Sequence, residues 1–135
     1  MGALLVKKLL IKPGRRVAIL NAPPGYRAEL GTLPDGVTVI DRMDAAPSAG
    51  CDVVQMFVKD LAEVARLTSE AERALKPGGI LWICYPKGAS KMKTDLNRDI
   101  LWEALAPHGL SPVALVAVNA VWSAMRFRPS AEVGT

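Results

Sequence analysis

Short, almost wholly apolar runs alternate along this chain with segments whose apolar residues recur every three or four positions. The first kind reads as strands covered on both faces, the second as amphipathic helices. GALLVKKLLI predicts an N-terminal helix ended by Lys12-Pro13-Gly14, and RRVAILN a first strand. YRAELGTL has room for one or two helical turns before the turn signal Pro34-Asp35-Gly36, and VTVID is a second strand. After the loop MDAAPSAGC comes a third strand, DVVQMFV. From Asp60 to Leu75 the spacing becomes helical, with Leu61, Val64, Ala65, Thr68, Ala71 and Leu75 on one face and Asp60 at the cap or in the first turn. Lys76-Pro77-Gly78-Gly79 stops that helix, GILWICYP is a fourth strand, and PKGASKMKT is a lysine-bearing loop. DLNRDILWEALAPHG predicts a second good helix, with Leu96, Ile100, Leu101 and Ala104 on its apolar side and Pro107 and Gly109 at its end. Two strands, Pro112 to Val118 and Trp122 to Arg128, meet at Asn119-Ala120 as a hairpin.

This order predicts an α/β fold: a Rossmann-like, mostly parallel sheet with helices on both faces and a C-terminal antiparallel hairpin. Four parallel strands and one reversed strand, at or beside an edge, are expected. A chain of 135 residues suits a single domain over residues 1–130, with 131–135 a loose tail. Half of the residues are hydrophobic, which excludes a disordered segment. The net charge of +4 suits an anionic ligand but is too small to imply nucleic acid. Lys7 and Lys8 interrupt the N-terminal apolar run, Val6 spoils the myristoylation pattern opened by Met1-Gly2, and no apolar run is long enough to span a bilayer. Cys51 and Cys84 lie in or beside strands without metal-ligand spacing, and read as buried thiols in a cytoplasmic protein.

In open parallel sheets, ligands bind beyond the carboxyl ends of the strands, where chain order reverses. Asn21 ends the first strand, Asp41 the second, Lys59 and Asp60 the third, and Lys87 the fourth, with Lys91 and Lys93 in the following loop. That grouping predicts a positively biased crevice for a phosphate or carboxylate, with Lys59, Lys87, Lys91 and Lys93 as its anion-binding side chains. No catalytic set emerges. His108 has no neighbouring acid or nucleophile in the sequence and reads as a cap or surface residue, Ser90 and Ser123 lack a nucleophile's setting, and Asp95 and Asp99 fit the first turns of a helix. Trp82, Trp102 and Trp122 read as core or interface groups. Tyr85 is the one aromatic near the lysines, so a single-strand nucleic-acid surface is not expected.

DVVQMFV, a helix and then ALKPGGILWICYPK resemble the fourth and fifth strand region of class I S-adenosylmethionine-dependent methyltransferases. The helix-free final strand pair resembles their reversed seventh strand, which inserts between the fifth and sixth. On the phrase YPK…KTDLNRD the chain also resembles a small bacterial family with this shortened layout. The resemblance covers most of the chain, loosely. It places VAILNAPPG at the first glycine-rich motif and implies cofactor contacts from Asn21, Gly25 and Tyr26, with Asp41 on the ribose hydroxyls. The sequence also departs from that pattern. Asn21, Pro23 and Gly25 stand where the family has Gly-x-Gly-x-Gly, and Ile19 replaces an acidic residue. Residues 42–51 are too few for a third strand and its helices. Prolines bring no N–H and a fixed φ, so the loop reads as remodelled.

The expectation is a non-catalytic domain that binds a small ligand or a protein. One alternative is an S-adenosylmethionine-dependent methyltransferase with a reduced site, or a site completed across a homodimer. Another is an anion or nucleotide binder using the lysines.

Overall fold

The computed structural model describes residues 2–42, 49–88 and 93–132. Its elements are α1 (Gly2–Lys8), β1 (Arg16–Leu20), α2 (Tyr26–Leu30), β2 (Thr38–Ile40), β3 (Cys51–Phe57), α3 (Leu61–Ala74), β4 (Leu75–Pro86), α4 (Arg98–Leu105), β5 (Leu110–Ala117) and β6 (Trp122–Pro129). They form one six-stranded sheet in the order β2-β1-β3-β4-β6-β5. β2, β1, β3 and β4 pair in parallel, whereas β6 runs antiparallel to both β4 and β5. The mostly parallel sheet and terminal hairpin are as expected. The strand count is corrected: β5 runs with the parallel set and forms the edge, and the reversed β6 lies between β4 and β5. Among the described residues no strand lies beyond β2. No helix among them is long and apolar enough to cross a membrane.

Strand alternation divides the core into two layers. Ala18, Leu20, Val54, Met56, Leu81, Ile83, Met125 and Phe127 meet α3 and α4 on one face. Val17, Ile19, Val53, Phe57, Trp82, Cys84 and Ala124 meet α1 and α2 on the other. Cys51 and Cys84 are free and buried, as the sequence implies.

α1 ends earlier than the apolar run suggests. Leu10 takes a left-handed φ of 65°, and Ile11 N–H donates to Val6 O while Leu10 N–H donates to Lys7 O. This is a Schellman closure with leucine in the place usually held by glycine, retained because Val6, Leu9 and Ile11 are all buried. Trp82 Nε1 donates to Leu9 O at 3.0 Å and fixes this turn to the sheet.

The inward face of α3 is rotated from the expected one. Val64, Leu67, Thr68, Ala71 and Ala74 are buried, whereas Leu61 is 39% exposed and Ala65 is exposed. Thr68 settles its buried hydroxyl by donating to Val64 O at 2.6 Å. α3 has no separate terminating turn. Leu75 is already extended, and Lys76-Pro77-Gly78-Gly79 forms an irregularity within β4, where the β3 register jumps from Cys51↔Leu75 to Val53↔Ile80. α4 starts at Arg98 with Asn97 as its cap, so Asp95 precedes it. Trp82 and Trp122 are core residues, whereas Trp102 is 50% exposed. The final hairpin is closed by Asn119, whose Oδ1 accepts from Val121 and Trp122 N–H. Ser130–Glu132 form a single 3-10 turn, and residues 133–135 of the expected tail lie outside the described residues.

Candidate functional site

β1 lies between β2 and β3, so the chain leaves its carboxyl end to one side and returns on the other. That is the switch point at which ligand sites form in such sheets. An open cleft of about 710 Å³ lies there. Asn21, Gly25, Tyr26 and Asp41, the residues singled out around the first two strands, all line it, together with Arg27 and Arg42.

The loop from β1 to α2 is built from conformations its residues can tolerate. Asn21 adopts φ 58°, a left-handed backbone that asparagine accepts better than most residues. Its Nδ2 donates to Phe57 O at 2.8 Å and to Glu63 Oε2 at 3.3 Å, tying β1 to the end of β3. Pro23 O accepts from Tyr26 N–H at 3.2 Å, so this amide is used within the turn. Gly25 has φ 83°, and a Cβ added there would meet nothing within 4 Å. The glycine therefore serves the turn and leaves open space above it.

Tyr26 contributes to the cleft from below. Its side chain is buried, with the ring 4.7 Å from Phe57 in an edge-on arrangement and its hydroxyl donating to Gln55 Oε1 at 2.9 Å. Gln55 Nε2 in turn donates to Cys84 Sγ at 3.3 Å. Burial, with Cys84 adding to it, pushes the Tyr26 phenol well above its usual range. Burial raises the Cys84 thiol to about 12, partly offset by the hydrogen bond from Gln55. Both groups stay protonated and unreactive at neutral pH.

Asp41 follows directly on β2 and is exposed. No hydrogen bond or ion pair to its carboxylate occurs among the described residues. It is thus available to accept from a hydroxyl or an amine.

The expected cationic crevice is altered by a residue the sequence reading did not select. Glu63 sits at the carboxyl ends of β1 and β3, where Oε1 accepts from Lys59 N–H at 2.7 Å and Oε2 accepts from Asn21. Arg66 lies 3.5 Å from the same carboxylate. The pattern Asp60-x-x-Glu63 was available as a capping signal. Asp60 Oδ1 does accept from Glu63 N–H at 2.9 Å, but Glu63 reaches back to Lys59 rather than to the cap itself. The crest therefore carries its own carboxylate.

Lys59 and Lys93 are exposed, and Lys87 is half-buried, with its N–H donating to Val121 O at 2.7 Å. None of these three lines the cleft. Lys91 lies outside the described residues. Thr94 Oγ1 donates to Lys59 O, and Asp95 Oδ1 accepts from Leu61 N–H at 2.9 Å. Asp95 therefore caps α3 rather than starting the helix that contains Asp99. Arg98 lies 3.9 Å from its neighbour Asp99. His108, expected to stand without an acid, has its Nδ1 2.6 Å from Glu72 Oε1. Sequence separation hid that partner: the residues come from α3 and from the turn after α4.

No protein-family model matches the chain, and no curated protein does. Solved structures do match in fold. An S-adenosylmethionine-dependent methyltransferase from Aquifex aeolicus superposes with a TM-score of 0.65 at 13% identity, covering 93% of this chain and 88% of that one. The ribosomal protein L11 methylase of Lactobacillus delbrueckii subsp. bulgaricus gives 0.61 at 12%, covering 95% and 76%. The fibrillarin pre-rRNA processing protein of Methanococcus jannaschii gives 0.61 at 14%, covering 87% and 67%. The chain has a Rossmann-like fold resembling that of class I S-adenosylmethionine-dependent methyltransferases.

Proposed function

We propose that the cleft beyond β1 and β2 binds S-adenosylmethionine or its demethylated product, and that the protein is a methyltransferase-type domain with a reduced site. The observation that carries this reading is the convergence of Asn21, Gly25 and Asp41 on one open cleft at the switch point. The fold supports it, and so do structures of like fold that hold such ligands, among them a complex with S-adenosylhomocysteine at 19% identity and a TM-score of 0.62.

The residues present fit the ribose side of the ligand. Asp41 offers an unpaired carboxylate to vicinal hydroxyls, and the open surface over Gly25 permits close approach. Pro23 and Pro24 supply no amides and Tyr26 N–H is spent on Pro23 O, so Asp41 replaces a ring of loop N–H groups as the main polar anchor. When bound, the ligand's sulfonium would supply the methyl group. The chain's part is to bind and orient it: among the described residues Asp41 is the cleft's one carboxylate, and Tyr26 is held protonated in the core.

Isothermal titration with S-adenosylmethionine and S-adenosylhomocysteine tests the reading. Wild type should bind at least one, and Asp41→Asn should weaken it about tenfold, which corresponds to roughly 1.4 kcal/mol. Absence of binding at millimolar ligand, or equal affinity in the variant, contradicts it. The Pro23-Pro24 edge favours a second reading, in which the bound nucleoside is not turned over. Transfer of labelled methyl to an acceptor in a cell extract would exclude that second reading.

A further inference from the structure

The two edges of the sheet differ in kind. β2 is three residues long and runs straight into Asp41 and Arg42, so little backbone is offered there and charges flank it. β5, at the opposite edge, is eight residues long, and no formal charge occurs between His108 and Arg126. Pro112 and the register shift at Val113 blunt only its start. Beyond them the strand exposes apolar side chains to solvent: Val113 is 40% and Leu115 51% exposed, and Ala114 and Ala117 are exposed as well. Exposed Leu4 adjoins its far end, in a cleft that Ala117 also lines.

Hydrogen-bond parity fixes which groups of β5 look outward. Val118 N–H donates to Trp122 O at 3.0 Å, and the register continues as Val116↔Ala124 and Ala114↔Arg126. Antiparallel ladders alternate, so Val116 turns its N–H and C=O towards β6, whereas Leu115 and Ala117 turn theirs away from the sheet. Among the described residues these outward groups meet no partner. Leu115 lies opposite Met125 and so shares the α3 and α4 face with Ala117, while Val116 packs into the other layer.

We propose that two copies of this chain join edge to edge, β5 against antiparallel β5, about a two-fold axis between their Val116 residues. Leu115 and Ala117 of each copy then exchange N–H···O bonds with Ala117 and Leu115 of the other. The side chains suit this register. Leu115 stands opposite the second copy's Ala117, large against small, and symmetry repeats the pair, while Val116 meets its own copy on the other face. The strand brings no charge against itself, which is the complementarity a second copy requires. β5 is the edge remote from β2, so the inference is independent of the reading of the cleft.

The test combines sedimentation velocity of the full chain, from about 5 µM to about 500 µM, with amide hydrogen exchange over the same range. The chain should pass from monomer to dimer, and the Leu115 and Ala117 amides should gain protection with concentration. The Val116 and Val118 amides, already bonded to β6, should be protected throughout. Leu115→Lys should weaken association at least about tenfold, as a charge on a strand edge does, while Trp102→Gln, at an exposed apolar residue of α4, leaves it unchanged. A chain that stays monomeric over the whole range overturns the proposal and leaves the edge to a strand of another protein. A dimer in which the Leu115 and Ala117 amides gain no protection, or which Leu115→Lys leaves intact, overturns it too. Should Leu115→Lys fail to fold, the exchange pattern of the wild type decides.

Discussion

Tyr26 links the loop after β1 to the centre of the sheet through its hydroxyl, while its ring joins an edge-on series in which Phe57 also meets Trp122 at 5.1 Å. Gln55 is one of two buried polar side chains among the described residues, and Tyr26 and Cys84 satisfy its two ends. Tyr26→Phe would leave the Gln55 carbonyl without its donor and should cost about 1–3 kcal/mol in urea denaturation. Cys84 carries a pH signature whose sign is set by burial. Its folded pKa, about 12, lies above the ordinary thiol value of 9.0, so its contribution is complete below pH 9 and is lost as pH rises from 9 towards 12. Thermal melts between pH 8 and 11 should show stability falling through that window, and Cys84→Ser should reduce the slope. The family resemblance made Tyr26 a site candidate, but the sequence pattern did not put it in the core, because alternation along DVVQMFV gives Gln55 a face without showing what lies opposite.

The junction of α3 and β4 shows how an element boundary can be set by close backbone approach. A Cβ on Gly79 would lie 2.7 Å from Leu75 Cδ1, 2.9 Å from Lys76 O and 3.1 Å from Asp52 O. Leucine can move, but the two carbonyls are backbone, so Gly79→Ala should destabilise by about 1–3 kcal/mol in denaturant titrations. Beside it, Lys76 and the Arg16 N–H hold the Asp52 carboxyl below its usual range. The sign here is opposite to that of Cys84: stability from Asp52 is present above the unfolded pKa, near 4, and is lost as pH falls through the lower folded value. The pair is partly exposed, so Asp52→Asn should cost under about 1 kcal/mol at neutral pH and flatten the acid limb of the stability profile. KPGG was legible as a break in helical spacing. That it continues β4 was not, since the register jump depends on the pairing with β3.

At the scale of the whole molecule, apolar runs and helical spacing disclosed the order of elements, and the helix-free final pair disclosed the reversed strand. The end of the sheet that carries Asn21 and Asp41 was legible for the same reason: strand ends can be counted along the chain. Glu63 and the Glu72–His108 contact were not, because each joins residues whose proximity arises only on packing α3 against the sheet and the turn after α4. The lysine grouping shows the converse. Residues that share a sheet end need not share a cavity, and the described lysines stand outside the cleft.

The central claim is that Asn21, Gly25 and Asp41 form a nucleoside site. An amide NMR titration of the ¹⁵N-labelled chain with S-adenosylhomocysteine tests it most directly. The account predicts saturable shifts concentrated at residues 21–28 and 41–42, with the Arg126–Arg128 region unmoved. No saturable shift, or shifts centred away from the β1 and β2 ends, would contradict it.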